Sequence, residues 1–129
     1  MPAMKIDLDT YKERQYRIDA YQAGSIIVNG DRHTRSVIVS PGKVISDWPP
    51  GSFADLASQH IDQIIELQPE IIILGTGSQL YFPAPELISR IFELNIGFEA
   101  MDTGAACRCY NLLVSEQRNV AAALIMLKE

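Results

Sequence analysis

The sequence predicts an α/β fold: a single three-layer domain with mixed β-sheets, an N-terminal antiparallel meander followed by β-α-β units. Three observations carry this. Residues 16–45 fall into short alternating or β-branched runs cut by turn residues. From Ser52 the apolar spacing becomes helical. The run Glu70-Ile71-Ile72-Ile73-Leu74 then opens an alternation of strands and helices that lasts to the end.

The first strand is expected over residues 16–22, where large and polar side chains alternate, and Gly24 separates it from Ser25 to Val28. Asn29-Gly30-Asp31 is a tight-turn signal, because Asn and Gly accept positive φ. Arg35 to Val39 and Val44 to Ile45 give two more strands, split by Pro41-Gly42. These four strands either extend the later sheet or form a second one. Residues 1–15 are expected as an N-terminal tail and 16–129 as the domain.

The consecutive prolines Pro49 and Pro50 deny helix and ladder donors, so residues 47–52 are irregular. A first helix is expected over residues 53–67, with Ser52 as its N-cap. Pro69 ends it, and the strand at 70–74 is apolar enough to be covered on both faces. A second helix spans 85–95, a strand 97–100, and a third helix runs from Asp102 or Thr103 to about Val114. Residues 118–127 read as a closing strand, with helix as the alternative because Ala121 to Ala123 favour it. Right-handed crossovers should make strands 70–74 and 97–100 parallel neighbours.

Composition narrows the function classes. A chain of 129 residues, 47% hydrophobic and 21% charged, can bury a core without disulfides or metal. The apolar runs 71–74 and 120–127 are far short of the ~20 residues of a membrane helix, and no integral membrane segment is expected. Without an apolar signal core at the N-terminus, a soluble protein of the cytoplasm is expected. The pair Cys107 and Cys109 is too close for an unstrained disulfide and is not a C-x-x-C motif. Residues 1–46 hold seven Lys/Arg against five Asp/Glu; residues 47–129 hold four against eleven. That acidic second part repels phosphate backbones, so no nucleic-acid partner is expected.

Gly75-Thr76-Gly77 after a buried strand suggests a dinucleotide site, with Glu99 placed for a ribose. Leu80 stands where the third glycine belongs, however, and Pro83 and Pro85 delay the helix whose N-terminus would meet a pyrophosphate. His33 and His60 lie in separate elements and the cysteines lack a second pair, so no metal and no cofactor are expected. His60 falls on an apolar helical stripe, where core packing is the commoner role.

Both glycine loops should emerge at one carboxyl edge of the sheet, where open α/β sheets bind ligands. Gly75, Thr76, Gly77, Asp102, Thr103, Cys107 and Arg108 are the candidate ligand-binding residues. Ser78 joins them, with Trp48 and Tyr81 as apolar walls. Arg108 is the nearby cation for a small anionic ligand. Cys107, early in a helix and beside Arg108, is either a thiol of lowered pKa or a small packing residue.

Ile73-Leu74-Gly75-Thr76-Gly77, Met101 to Arg108, Tyr110-Asn111 and Glu116-Gln117-Arg118 through Ala121 to Ile125 together resemble one known family. It is the small uncharacterised α/β domain family that includes mitochondrial complex I assembly factor 3 and the adipogenesis-associated domain protein. The resemblance covers about residues 16–127. It implies a three-layer domain with mixed sheets and carries no catalytic residues to any position here. Cys109 stands where relatives commonly have a threonine-like residue. The resemblance also implies a non-enzymatic binding or assembly factor with a protein partner, for a membrane or respiratory complex. The alternative is a small-molecule-binding protein or enzyme that uses the cleft at Gly75-Gly77 and Asp102-Arg108.

Overall fold

A computed structural model describes residues 15–128. All but the last residue of the tail expected over residues 1–15 lies outside them. Strands β1 (Ile18–Gln22), β2 (Ser25–Val28) and β3 (Asp31–His33) form an antiparallel sheet in that order. Strands β4 (Val37–Ser40), β5 (Lys43–Ile45), β6 (Ile71–Gly75), β7 (Gly97–Met101) and β8 (Val120–Leu124) form a second sheet in the order β5-β4-β8-β6-β7. The early strands therefore do both things open to them: three make a separate sheet and two extend the larger one. β6 runs parallel to β7 and to β8, whereas β4 runs antiparallel to β5 and β8.

The helices are α1 (Ser58–Ile65), α2 (Pro85–Glu93) and α3 (Thr103–Ser115). Each is followed by a residue with positive φ (Gln68, Asn95 and Gln117), the backbone turn that stops a helix. On one face of the five-stranded sheet, Ile61 and Ile64 of α1 and Ile91 of α2 pack with Trp48, Ile72 and Leu74. On the other face, Ala106, Cys107, Tyr110 and Val114 of α3 pack with Ile73 and with Ile18, Ile26 and Val28 of the small sheet. The result is the expected three-layer α/β domain, with the five-stranded sheet mixed and the three-stranded sheet antiparallel. Both faces of β6 and β8 are covered, which explains their unbroken apolar sequences.

The Tyr110-Asn111 pair fastens the small sheet to α3. The Tyr110 hydroxyl donates to the Tyr16 carbonyl at 2.7 Å. Asn111 donates through Nδ2 to the Ile18 carbonyl (2.7 Å) and accepts the Ile18 N–H through Oδ1 (2.9 Å). Its amide thus pairs with β1 as a neighbouring strand would. Burial raises the Tyr110 hydroxyl pKa, against a smaller opposing pull from the Arg17 charge.

Three expectations need correction. The first helix does not start at Phe53: residues Phe53–Asp55 form one 3-10 turn, and α1 begins at Ser58. Ser52 caps neither element through its side chain; its hydroxyl faces the Asp55 carboxylate instead. At the start of α1 it is His60 that works, its Nδ1 accepting the Ala57 N–H at 2.9 Å. Strand β3 had no place in the expected meander. The closing segment, open between strand and helix, is strand β8.

Candidate functional site

The loop after β6 and the start of α3 meet at the carboxyl edge of the sheet, and they are joined to each other. Thr103 is fully buried; its hydroxyl accepts the Gly77 N–H at 2.8 Å and donates to the Ile125 carbonyl at 2.6 Å. The Thr103 N–H donates to the Gly77 carbonyl, and the Thr76 N–H to the Met101 carbonyl. One side chain thereby ties the ends of β6, β7 and β8 together. Gly75 is needed because a Cβ there would come within 2.9 Å of the Thr103 hydroxyl and 3.1 Å of its Cα.

Thr76, also buried, donates its hydroxyl to the Gln79 carbonyl (2.6 Å) and accepts the Tyr81 N–H (3.2 Å), which shapes the 76–81 loop. Asp102 is the N-cap of α3, its carboxylate accepting the Ala105 N–H at 2.9 Å. The convergence of the two glycine loops is real, but its polar groups are used in holding the loops to each other.

Beside this knot lies an open cleft of about 520 Å³, over the ends of β6 and β8. Phe53 and Tyr81 form one wall, stacked with ring centroids 5.2 Å apart. Thr76, Gly77 and Ser78 form another side, Ile125 contributes apolar surface, and Lys128 supplies the cation. Of the seven candidate residues, Thr76 and Gly77 line the cleft. Gly75 and Thr103 lie buried beneath it, and Asp102 is occupied by its cap.

Cys107 and Arg108 point elsewhere. Cys107 is 1% exposed, in the core between α3 and the sheet. Burial pushes its pKa up to about 12; the Arg108 charge opposes that and the Asp102 charge adds to it. Burial and then the Glu99 charge push up the Cys109 thiol. Arg108 hydrogen-bonds the Tyr21 hydroxyl of the small sheet and lies 5.9 Å from that ring's centre. The structure therefore takes the packing branch for Cys107. In Cys109→Ser protein, iodoacetamide should leave Cys107 unmodified until denaturant is added; labelling of the folded protein at the rate of a free thiol would contradict this burial.

Trp48, expected as a wall of this cleft, is 1% exposed and sits in the core under α1, its indole N–H 3.3 Å from the His60 carbonyl. Phe53 takes the place expected for it. Phe53 and Lys128 were not anticipated, since only the folded chain brings residues 53, 81 and 128 together. Among the described residues, no three His, Cys, Asp or Glu side chains gather to hold a metal, and no helix is long and apolar enough to cross a membrane. α2 begins at Pro85, eight residues after Gly77, as the sequence led one to expect.

Residues 18–125 match the family described as protein of unknown function (DUF498/DUF598). The chain belongs to this family. A relative in Xenopus tropicalis, NADH dehydrogenase [ubiquinone] 1 alpha subcomplex assembly factor 3, is 34% identical over 110 residues. That match covers 84% of this chain and 60% of the relative, so the chain spans well under two thirds of that protein's length. The 13 kDa major membrane protein of Francisella tularensis is 32% identical over 106 residues, covering 81% of this chain and 86% of the relative. A crystal structure of a Bordetella parapertussis protein superposes with a TM-score of 0.82 at 36% identity, over 87% of this chain and 96% of the other. The sequence is thus similar to proteins whose names point to complex assembly and to a membrane, and the fold to that of the Bordetella protein.

Proposed function

We propose that this chain is a non-catalytic assembly factor that holds a protein subunit while a respiratory membrane complex is built. The observation that carries this reading is the 34% identity, across 84% of the chain, to a protein named as a complex I assembly factor. Two structural features support it. Leu80, Tyr81 and Phe82 stand exposed in one loop, Phe82 at 76%, which suits protein contact better than a buried core. The thiol best placed for chemistry, Cys107, is held protonated inside the core. Two free cysteines fit a reducing compartment such as the cytoplasm.

The cleft favours a second reading, capture of a small anionic ligand with a flat apolar part. Phe53 and Tyr81 would flank the flat part, and Lys128, Ser78 and the Thr76-Gly77 backbone would meet the anion. In that reading Gly75, Asp102 and Thr103 shape the site from beneath.

Deletion of the gene in the native organism separates the two. The first reading expects less assembled NADH dehydrogenase complex on native gels, with its subunits held in smaller assemblies. Unchanged complex levels, together with a metabolite that raises the Tm of the wild type and not of Lys128→Ala, would replace it with the second.

A further inference from the structure

Among the described residues β7 is an edge of the five-stranded sheet, paired only with β6. The Gly97 N–H donates to the Glu70 carbonyl and the Met101 carbonyl accepts the Thr76 N–H, so residues 97, 99 and 101 direct their backbone toward β6. By alternation, the N–H and C=O groups of Phe98 and Ala100 point out from the edge. The other edge, β5, is three residues long, contains Lys43 and soon bends away at Asp47, which has positive φ. β7 has five residues and no Pro, so of the devices that usually blunt an edge it carries only the charge of Glu99.

The α2 flank of this edge is apolar. Phe92 and Leu94, 57% and 48% exposed, stand at the end of α2, and Phe92 packs edge-on against Phe98 at 6.2 Å. Met101 packs with the α3-side core and Phe98 with the α2-side core, so Glu99 shares the Met101 side. Glu99 is exposed and makes no ion pair among the described residues.

We propose that the free edge of β7 receives an extended segment of a partner protein as an added strand. Its apolar side chains pack on Phe92 and Phe98, and a Lys or Arg lies opposite Glu99. Only extended polypeptide offers donors and acceptors at the spacing of the Phe98 and Ala100 backbone. A second copy of this chain is a poor occupant. Two-fold antiparallel pairing in the register that overlaps all of β7, centred on residue 99, would set Glu99 against its own counterpart in a non-hydrogen-bonded pair, where side chains approach most closely. The proposal rests on the assembly reading for the partner's identity, whereas the edge itself can be tested with a defined probe.

The probe is the acetylated, amidated peptide Thr-Val-Lys-Val-Lys-Val-Thr, with a control carrying Glu for both Lys. Both are titrated into the full chain by NMR, with amide exchange measured residue by residue. The expected result is saturable binding of the Lys peptide that slows exchange at the Phe98 and Ala100 amides, with the Glu peptide about fivefold weaker or worse. Glu99→Lys should reverse that preference. Ala100→Pro, which removes an outward N–H, should abolish binding; an edge strand tolerates such a proline. Should that variant not fold, Glu99→Lys alone carries the test.

Several results would overturn the proposal. These are no protection at Phe98 and Ala100, protection centred on Leu80 to Phe82 instead, or equal binding of both peptides. So would slow exchange of those two amides in the free chain, either at all concentrations or growing with concentration as self-pairing would make it. If the peptide docks as expected while the deletion strain keeps its complex, the assembly reading fails and the edge stands. If the strain loses its complex and the peptide does not dock, the reverse holds.

Discussion

Thr103→Val should lower the unfolding free energy by about 3–5 kcal/mol, read as a fall in the urea midpoint at constant m. Valine keeps the shape of threonine but offers neither lone pair nor hydroxyl proton. It would leave the Gly77 N–H and the Ile125 carbonyl without the partners they have at 2.8 and 2.6 Å. Each stranded buried group costs about 1–3 kcal/mol, and no solvent reaches the site to replace the hydroxyl. Thr103→Ser is the control. It keeps both hydrogen bonds, loses a methyl group, and should cost only about 1 kcal/mol. Equal losses for the two variants would mean that packing, and not the hydroxyl, holds the strand ends together.

Ile72→Ala and Ile73→Ala should each cost about 2–5 kcal/mol. Both side chains are fully buried, yet they lie in different layers: Ile72 with α1 and α2, Ile73 with α3 and the small sheet. Because the two sites share few partners, the double variant should lose the sum of the single losses to within about 0.5 kcal/mol. A denaturant midpoint unmoved by either substitution would contradict a central β6. Strong non-additivity would show that the two layers communicate through the strand.

Much of this architecture was legible in the residues, for reasons that are local. Ile71 to Leu74 has no polar face to turn outward, and only a strand covered on both sides accommodates that. α3 announced itself through Asp102 or Thr103 at its cap and through Ala106, Tyr110 and Leu113 at helical spacing, although the structure buries Val114 more deeply than Leu113. The same spacing places Cys107, three residues before Tyr110, on the buried stripe.

β3 was hidden because Asp31-Arg32-His33 carries no apolar residue; its pairing follows from the Asn29-Gly30 turn and from β2 alone. The first helix comes out too long from sequence because Phe53, Leu56, Ala57, His60 and Ile61 follow one another at helical spacing. Phe53 instead turns toward Tyr81, a contact 28 residues away in sequence. The cleft was less legible than the fold for the same reason. Its aromatic pair and its cation come from three distant segments, and no local rule joins them.

β8, the last strand in sequence, occupies the middle of the sheet, between β4 and β6. As the chain leaves the ribosome, the β4–β5 hairpin and the β6–β7 pair therefore have no strand to bridge them until residue 124 has emerged. The β4–β8 pairing closes a loop from Val37 to Leu124, a distant contact of the kind that slows folding. During that interval Val37-Ile38-Val39 and Ile71 to Gly75 stand as two bare apolar margins able to recruit strands from other chains. Newly made copies of this protein should therefore depend on chaperone cover more than their small size suggests.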